Sequence, residues 1–197
     1  SSGILTNNGT LIFAGDAVTA SKLDNNGTIK LTGTETITAT KTNGTGSTVQ
    51  YTGDVAIDSA SWGSDYYNLV IDSGVAVTTD SSNLTILGTL TNNGTINVTG
   101  NGIVDIADII SSTIGDFEYS GTSAVQDYSE DYDELTITGG SVEIVSGASL
   151  TADTSISLSG DITPLGNVTF ESAVTLTADT KIDTSATNGA ITFSSTI

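Results

Sequence analysis

One recurring phrase limits what this chain can fold into. Leu5-Thr6-Asn7-Asn8-Gly9-Thr10-Leu11 returns as Leu23-Asp24-Asn25-Asn26-Gly27-Thr28-Ile29, and again as Leu90-Thr91-Asn92-Asn93-Gly94-Thr95-Ile96. Two tyrosine phrases recur with nearly the spacing that separates Leu23 from Leu90. Val49-Gln50-Tyr51-Thr52-Gly53 matches Phe117-Glu118-Tyr119-Ser120-Gly121, and Asp65-Tyr66-Tyr67-Asn68-Leu69-Val70-Ile71 matches Asp131-Tyr132-Asp133-Glu134-Leu135-Thr136-Ile137. The block 23–89 is therefore duplicated as 90–156, and shorter echoes fill 149–197. The whole of 1–197 reads as one array. Its small periods run from that between Leu5 and Leu23 to that between Leu150 and Leu176, and the large one reads as three of them. Repetition on this scale marks a solenoid, in which each unit buries its apolar face only by stacking on the next.

The local pattern is β. Thr34 to Thr40 alternates strictly, as does Ser155-Ile156-Ser157-Leu158-Ser159, so one face of each run is apolar and the other hydroxylic. Runs are short and end at Gly, Asp or Asn-Gly. The Asn-Gly pairs beginning at 8, 26, 43, 93, 101 and 188 read as tight turns whose residues tolerate positive φ. No stretch reads as a helix; Ile103 to Ile110 is rich in Val and Ile, lacks caps and reads as strand. The expected fold is all-β: a parallel β-helix, or β-solenoid, of roughly nine coils. Stacked at about 4.8 Å, these would make a rod on the order of 43 Å long. The runner-up is a set of stacked β-sandwiches, which the turn spacing permits but which does not require the nested repeat.

Composition narrows the chemistry. The four basic residues are Lys22, Lys30, Lys41 and Lys181, set against 23 carboxylates, for a net charge of −19. A field of that sign opposes nucleic-acid binding. There is no Cys, His or Met, so disulfides, zinc or haem ligation and histidine-based triads are excluded. No apolar run is long enough for membrane insertion, and Ser1-Ser2-Gly3-Ile4-Leu5-Thr6 does not read as a signal peptide. The chain opens just before a repeat phrase and stops within another, with no capping unit legible at either end. The expectation is an excerpt of a longer array, or a subunit whose copies stack end to end.

The Asn25-Asn26-Gly27-Thr28-Ile29-Lys30-Leu31-Thr32-Gly33 phrase resembles the repeat region of filamentous-haemagglutinin-type surface proteins. So do the Asp65 to Ile71 phrase and the tail 168–197, and the likeness spans nearly the whole chain. The resemblance implies a right-handed parallel β-helix, displayed or secreted as an adhesive stalk.

Candidate sites are few. The acidic run Asp127, Glu130, Asp131, Asp133 and Glu134 supplies hard oxygen ligands of the kind calcium takes, although it lacks EF-hand spacing. No other cofactor is expected. Seven glycosylation sequons begin at Asn8, Asn26, Asn43, Asn83, Asn93, Asn97 and Asn167; four are Asn-Gly-Thr, which turn chemistry also explains. The six tyrosines cluster by repeat position, as aromatic ladders do. Trp62, in the short insertion that offsets the tyrosine phrases, is expected to be exposed and to serve as a contact residue. No carboxylate pair stands out for glycoside chemistry, so no enzyme is expected. Thr-x-Thr rows do not recur coil after coil as an ice-binding face would need. The expected function is a non-catalytic structural segment of an extracellular or cell-surface filament that associates end to end. The alternative is an adhesin module that binds glycan or surface ligands through its loops; a polysaccharide-active β-helix enzyme is a distant third.

Overall fold

The computed structural model describes residues 3–57, 62–79, 83–100, 104–109, 115–121, 123–126, 132–138 and 142–197. These residues form short strands and no helix, and every strand pairing among them is parallel. Parallel neighbours so close in the chain, from Ile4 beside Lys22 to Val168 beside Ile191, leave only one path for the backbone. It winds around a common axis and pairs each lap with the lap beneath. The fold is a β-solenoid of about eight turns, close to the nine expected, and the sandwich alternative falls with the absence of antiparallel pairs among the described residues.

Each full turn has three short strands and so three faces. On one face Leu11, Ile29, Val49, Leu69 and Leu90 stand in register, one per lap. On the next, Val55, Val77, Ile96, Phe117, Leu135, Ile156 and Val174 form an unbroken column, every member buried. On the third, Tyr66, Ile86 and Ile106 align in mid-chain, and Val142, Ile162 and Ile182 align later. Strands such as Thr28–Leu31, Thr48–Tyr51 and Asn68–Ile71 alternate partly exposed and buried side chains, so the apolar member of each pair fills the core.

The duplication of 23–89 as 90–156 is not three whole turns. Ile29, from the second copy of the recurring phrase, shares a column with Leu90, which opens the third copy; Ile96, the true counterpart of Ile29, lies one face further round. Thr48–Tyr51 and its counterpart Asp116 to Tyr119 are displaced in the same way. So is the echo between Leu150 and Leu176. The repeat advances by three turns and one face. All three faces impose the same in–out alternation, so a strand-plus-turn phrase can occupy any of them.

Among the described Asn-Gly pairs, Asn188 takes the expected positive φ, whereas the stacked corners do not. Gly9, Gly27, Gly44 and Gly94 do not adopt positive φ. At Gly27 and Gly94 glycine is needed because the corners stack closely: a Cβ on Gly27 would overlap the Gly9 carbonyl oxygen, and one on Gly94 would overlap that of Val75. Asn7, Asn25 and Asn92, two positions before Gly9, Gly27 and Gly94, turn inward. Asn7 Nδ2 donates to Asn25 Oδ1 at 2.9 Å, and Asn25 Nδ2 to Asn43 Oδ1 at 3.4 Å. Asn25 Nδ2 also donates to the Thr48 carbonyl at 3.0 Å. The ladder thus satisfies buried polar groups at the corner.

Candidate functional site

The face that carries Ala17–Asn25 and Thr36–Asn43 is interrupted above the second of these strands. The next strand on that side, Asp65–Tyr66, pairs upward with Thr85 and Ile86 and not downward with Thr36–Asn43. A side-chain bond from Asn43 Nδ2 to the Asp65 carbonyl, 2.8 Å, crosses the gap. That step from Asn43 to Asp65 spends more chain than the one from Asp24 to Thr42 in the lap below. A cleft of about 430 Å³ opens in the wall of the rod at this interruption.

Three laps contribute to the cleft. Ala39 and Lys41 come from below, Trp62 to Tyr67 form the middle, and Leu87 closes it from above. Lys41 occupies a core position: it stands in register on Leu23, which stands on Leu5. A lysine is tolerated there because the wall is open. Its ammonium donates to the Ile37 carbonyl at 3.3 Å.

Trp62 is buried, 3% exposed, contrary to the exposed contact residue expected of an insertion. The cause is the staple beneath it. The Tyr66 hydroxyl donates to the Gly63 carbonyl at 2.6 Å and shares a 2.9 Å hydrogen bond with the Tyr51 hydroxyl inside the core. The two rings meet edge to face, 6.3 Å between centroids. Burial, then the neighbouring Tyr51 and the charge of Asp65, hold the Tyr66 phenol well above its usual range, so it remains a donor. Gly63 is thereby tied to the core, and the neighbouring Trp62 lines the cleft.

The acidic run is only partly described. Asp127, Glu130 and Asp131 lie outside the described residues, as does Tyr128. Glu134 borders a shallow hollow of about 190 Å³ with Asp116 and Glu118, while Asp133 accepts a hydrogen bond from Thr154 at 3.4 Å. Burial, then the charges of Asp133 and Glu134, push the Asp116 carboxyl above its usual value. Among the described residues no group of three or more metal-ligating side chains is close enough to hold an ion.

Of the sequon asparagines, Asn8, Asn26, Asn83, Asn93 and Asn167 are exposed, whereas Asn43 and Asn97 are partly buried. Asn43 is consumed by the corner ladder, and Asn26 Nδ2 donates to Asn8 Oδ1 at 3.1 Å on the surface of the corner. The tyrosines behave as ladder residues: Tyr51, Tyr66, Tyr119 and Tyr132 are buried, and Phe117 packs against both Tyr119 and Tyr132. Sequence reasoning missed Lys41, Tyr67 and Leu87 as cleft residues. The only signal pointing to them was the short insertion at Trp62. No family model, curated protein or solved structure matches the chain.

Proposed function

We propose that the chain is a non-catalytic structural segment of an extracellular or cell-surface stalk or filament, and that its ladder continues axially from lap to lap. One observation carries this reading: the parallel ladder runs the length of the described chain, and its outermost laps are left open with apolar side chains uncovered. Leu158 is fully buried, whereas Leu176, its in-register neighbour in the last laps, is 51% exposed. Ile4, Ile12 and Ile197 are exposed likewise. An axial neighbour would cover these residues and satisfy the open strand edge, whether it is further chain or another copy. The likeness of the recurring phrases to filamentous-haemagglutinin-type repeats agrees with such a role. The charge of −19 suits a rod that must stay dispersed laterally while stacking axially.

Light scattering across a concentration series, with electron microscopy of the same samples, tests the reading. The expected result is particles that lengthen without thickening, and an Ile12→Lys, Leu176→Lys double variant that remains short. Particles of unchanging size at every concentration, with both ends unaltered, would overturn the end-to-end association of copies.

A further inference from the structure

The rod reading gives the cleft at Trp62 no purpose, yet its surfaces have a definite chemistry. Its volume falls within the range of small-molecule sites, about 300 to 1,000 Å³. One side is apolar. Leu87 is 63% exposed in mid-rod, whereas most other large apolar residues this exposed lie in the outermost laps. Trp62 and Tyr67 line the same hollow. Tyr67 is held in place: a Cβ on Gly88 would lie 2.8 Å from its ring, so the glycine makes room for the ring to rest against the backbone of the next lap.

The polar atoms divide into two sets. Lys41, Asn43 and Tyr66 are spent within the protein, on the Ile37, Asp65 and Gly63 carbonyls and the Tyr51 hydroxyl. The Ser64 hydroxyl, the Asp65 carboxylate and the Tyr67 hydroxyl have no hydrogen-bond partner among the described residues. Aromatic and aliphatic surface beside an unused carboxylate and two hydroxyls matches a pyranose ring, which offers a C–H face and a rim of O–H donors. The strongest unused group is an acceptor, Asp65, which wants donors. In the lining Lys41 and Asp65 balance, and at longer range the chain's net charge of −19 disfavours anionic sugars, phosphates and nucleotides.

We propose that this cleft binds a neutral saccharide, its apolar face on Tyr67 and Leu87 and its hydroxyls donating to the Asp65 carboxylate. This goes beyond the structural role and is independent of it, because it concerns the side wall and not the ends of the rod.

Trp62 is the only tryptophan in the chain, so its fluorescence reports on the cleft directly. The test is titration of dilute, unassembled protein with neutral oligosaccharides built on glucose, galactose, mannose and N-acetylglucosamine, with oligouronates in parallel. The expected result is a saturable emission change with at least one neutral sugar. Asp65→Asn and Leu87→Ser, both at exposed positions, are expected to weaken it by about tenfold or more while leaving circular dichroism unchanged. The proposal is overturned by three results: no saturable change with any neutral sugar, binding that both variants leave intact, or a response confined to the oligouronates.

Discussion

At the scale of single residues the fold rests on corners. Gly27 sits where one corner stacks on the next, and its lack of a side chain is a steric requirement and not a conformational one. Gly27→Ala should therefore destabilise by about 1–3 kcal/mol through overpacking, read as a lower denaturation midpoint. Glu35 is a second corner device. It is 6% exposed, and its carboxylate accepts from the Thr32 hydroxyl at 2.6 Å, the Thr32 amide at 2.7 Å, the Gly33 amide at 2.8 Å and the Gly15 amide at 3.1 Å. Burial alone would raise its pKa. The hydrogen bonds from Thr32 and the neighbouring amides outweigh burial and hold it below the ordinary 4.5. The fold thus favours the ionised form. Glu35 adds its stability in full above that ordinary value and loses it as pH falls below, through its folded value. Thermal melts between neutral pH and pH 3 should show a decline that Glu35→Gln makes shallower; parallel declines for both proteins would refute this role. Residue types at these corners were legible in the sequence, but their reasons were not. Asn-Gly pairs suggested positive φ, whereas the constraint on Gly27 comes from Gly9, in the neighbouring lap. Trp62 read as exposed because a linear insertion shows no sign of the Tyr51–Tyr66 staple that draws it in.

At the scale of elements each strand does little alone and takes its stability from the strands above and below. Leu69 is fully buried and stands in register between Val49 and Leu90. Leu69→Ala should cost about 2–5 kcal/mol by chemical denaturation, through lost burial and the cavity left between laps. The adjacent Val70 points outward, and Val70→Thr should change stability by less than about 0.5 kcal/mol. Equal effects at the two positions would contradict the in–out assignment. Strand alternation was the most legible part of this chain, since a period of two needs only local residues. The phase of the large repeat was not legible. The duplicated block returns one face further round, and a phrase such as Asn68–Ile71 looks the same on any face. The cleft escaped notice for a related reason. It arises where the ladder between Thr36–Asn43 and Asp65–Tyr66 fails to form, and the absence of a pairing has no signature in the residues themselves.

At the scale of the whole molecule, one principle accounts for the rod, its open ends and its side cleft. The chain advances along a single axis, and each lap satisfies the backbone of the lap before it. Eight laps at about 4.8 Å give a body about 38 Å long, whose sides are small and polar and whose exposed large apolar residues gather mostly in the outermost laps. This winding can be measured directly. The chain has no native cysteine, so pairs introduced for spin labelling report only on the chosen sites. Thr78, Asn97, Glu118, Thr136, Ser157 and Thr175 form one surface column, each in register with the next. Pulsed electron–electron distances from position 78 to positions 136, 157 and 175 should rise in equal steps, to about 14, 19 and 24 Å between backbone sites. Distances that fail to grow with each lap, or that place 78 nearer to 175 than to 136, would contradict a backbone wound on one axis.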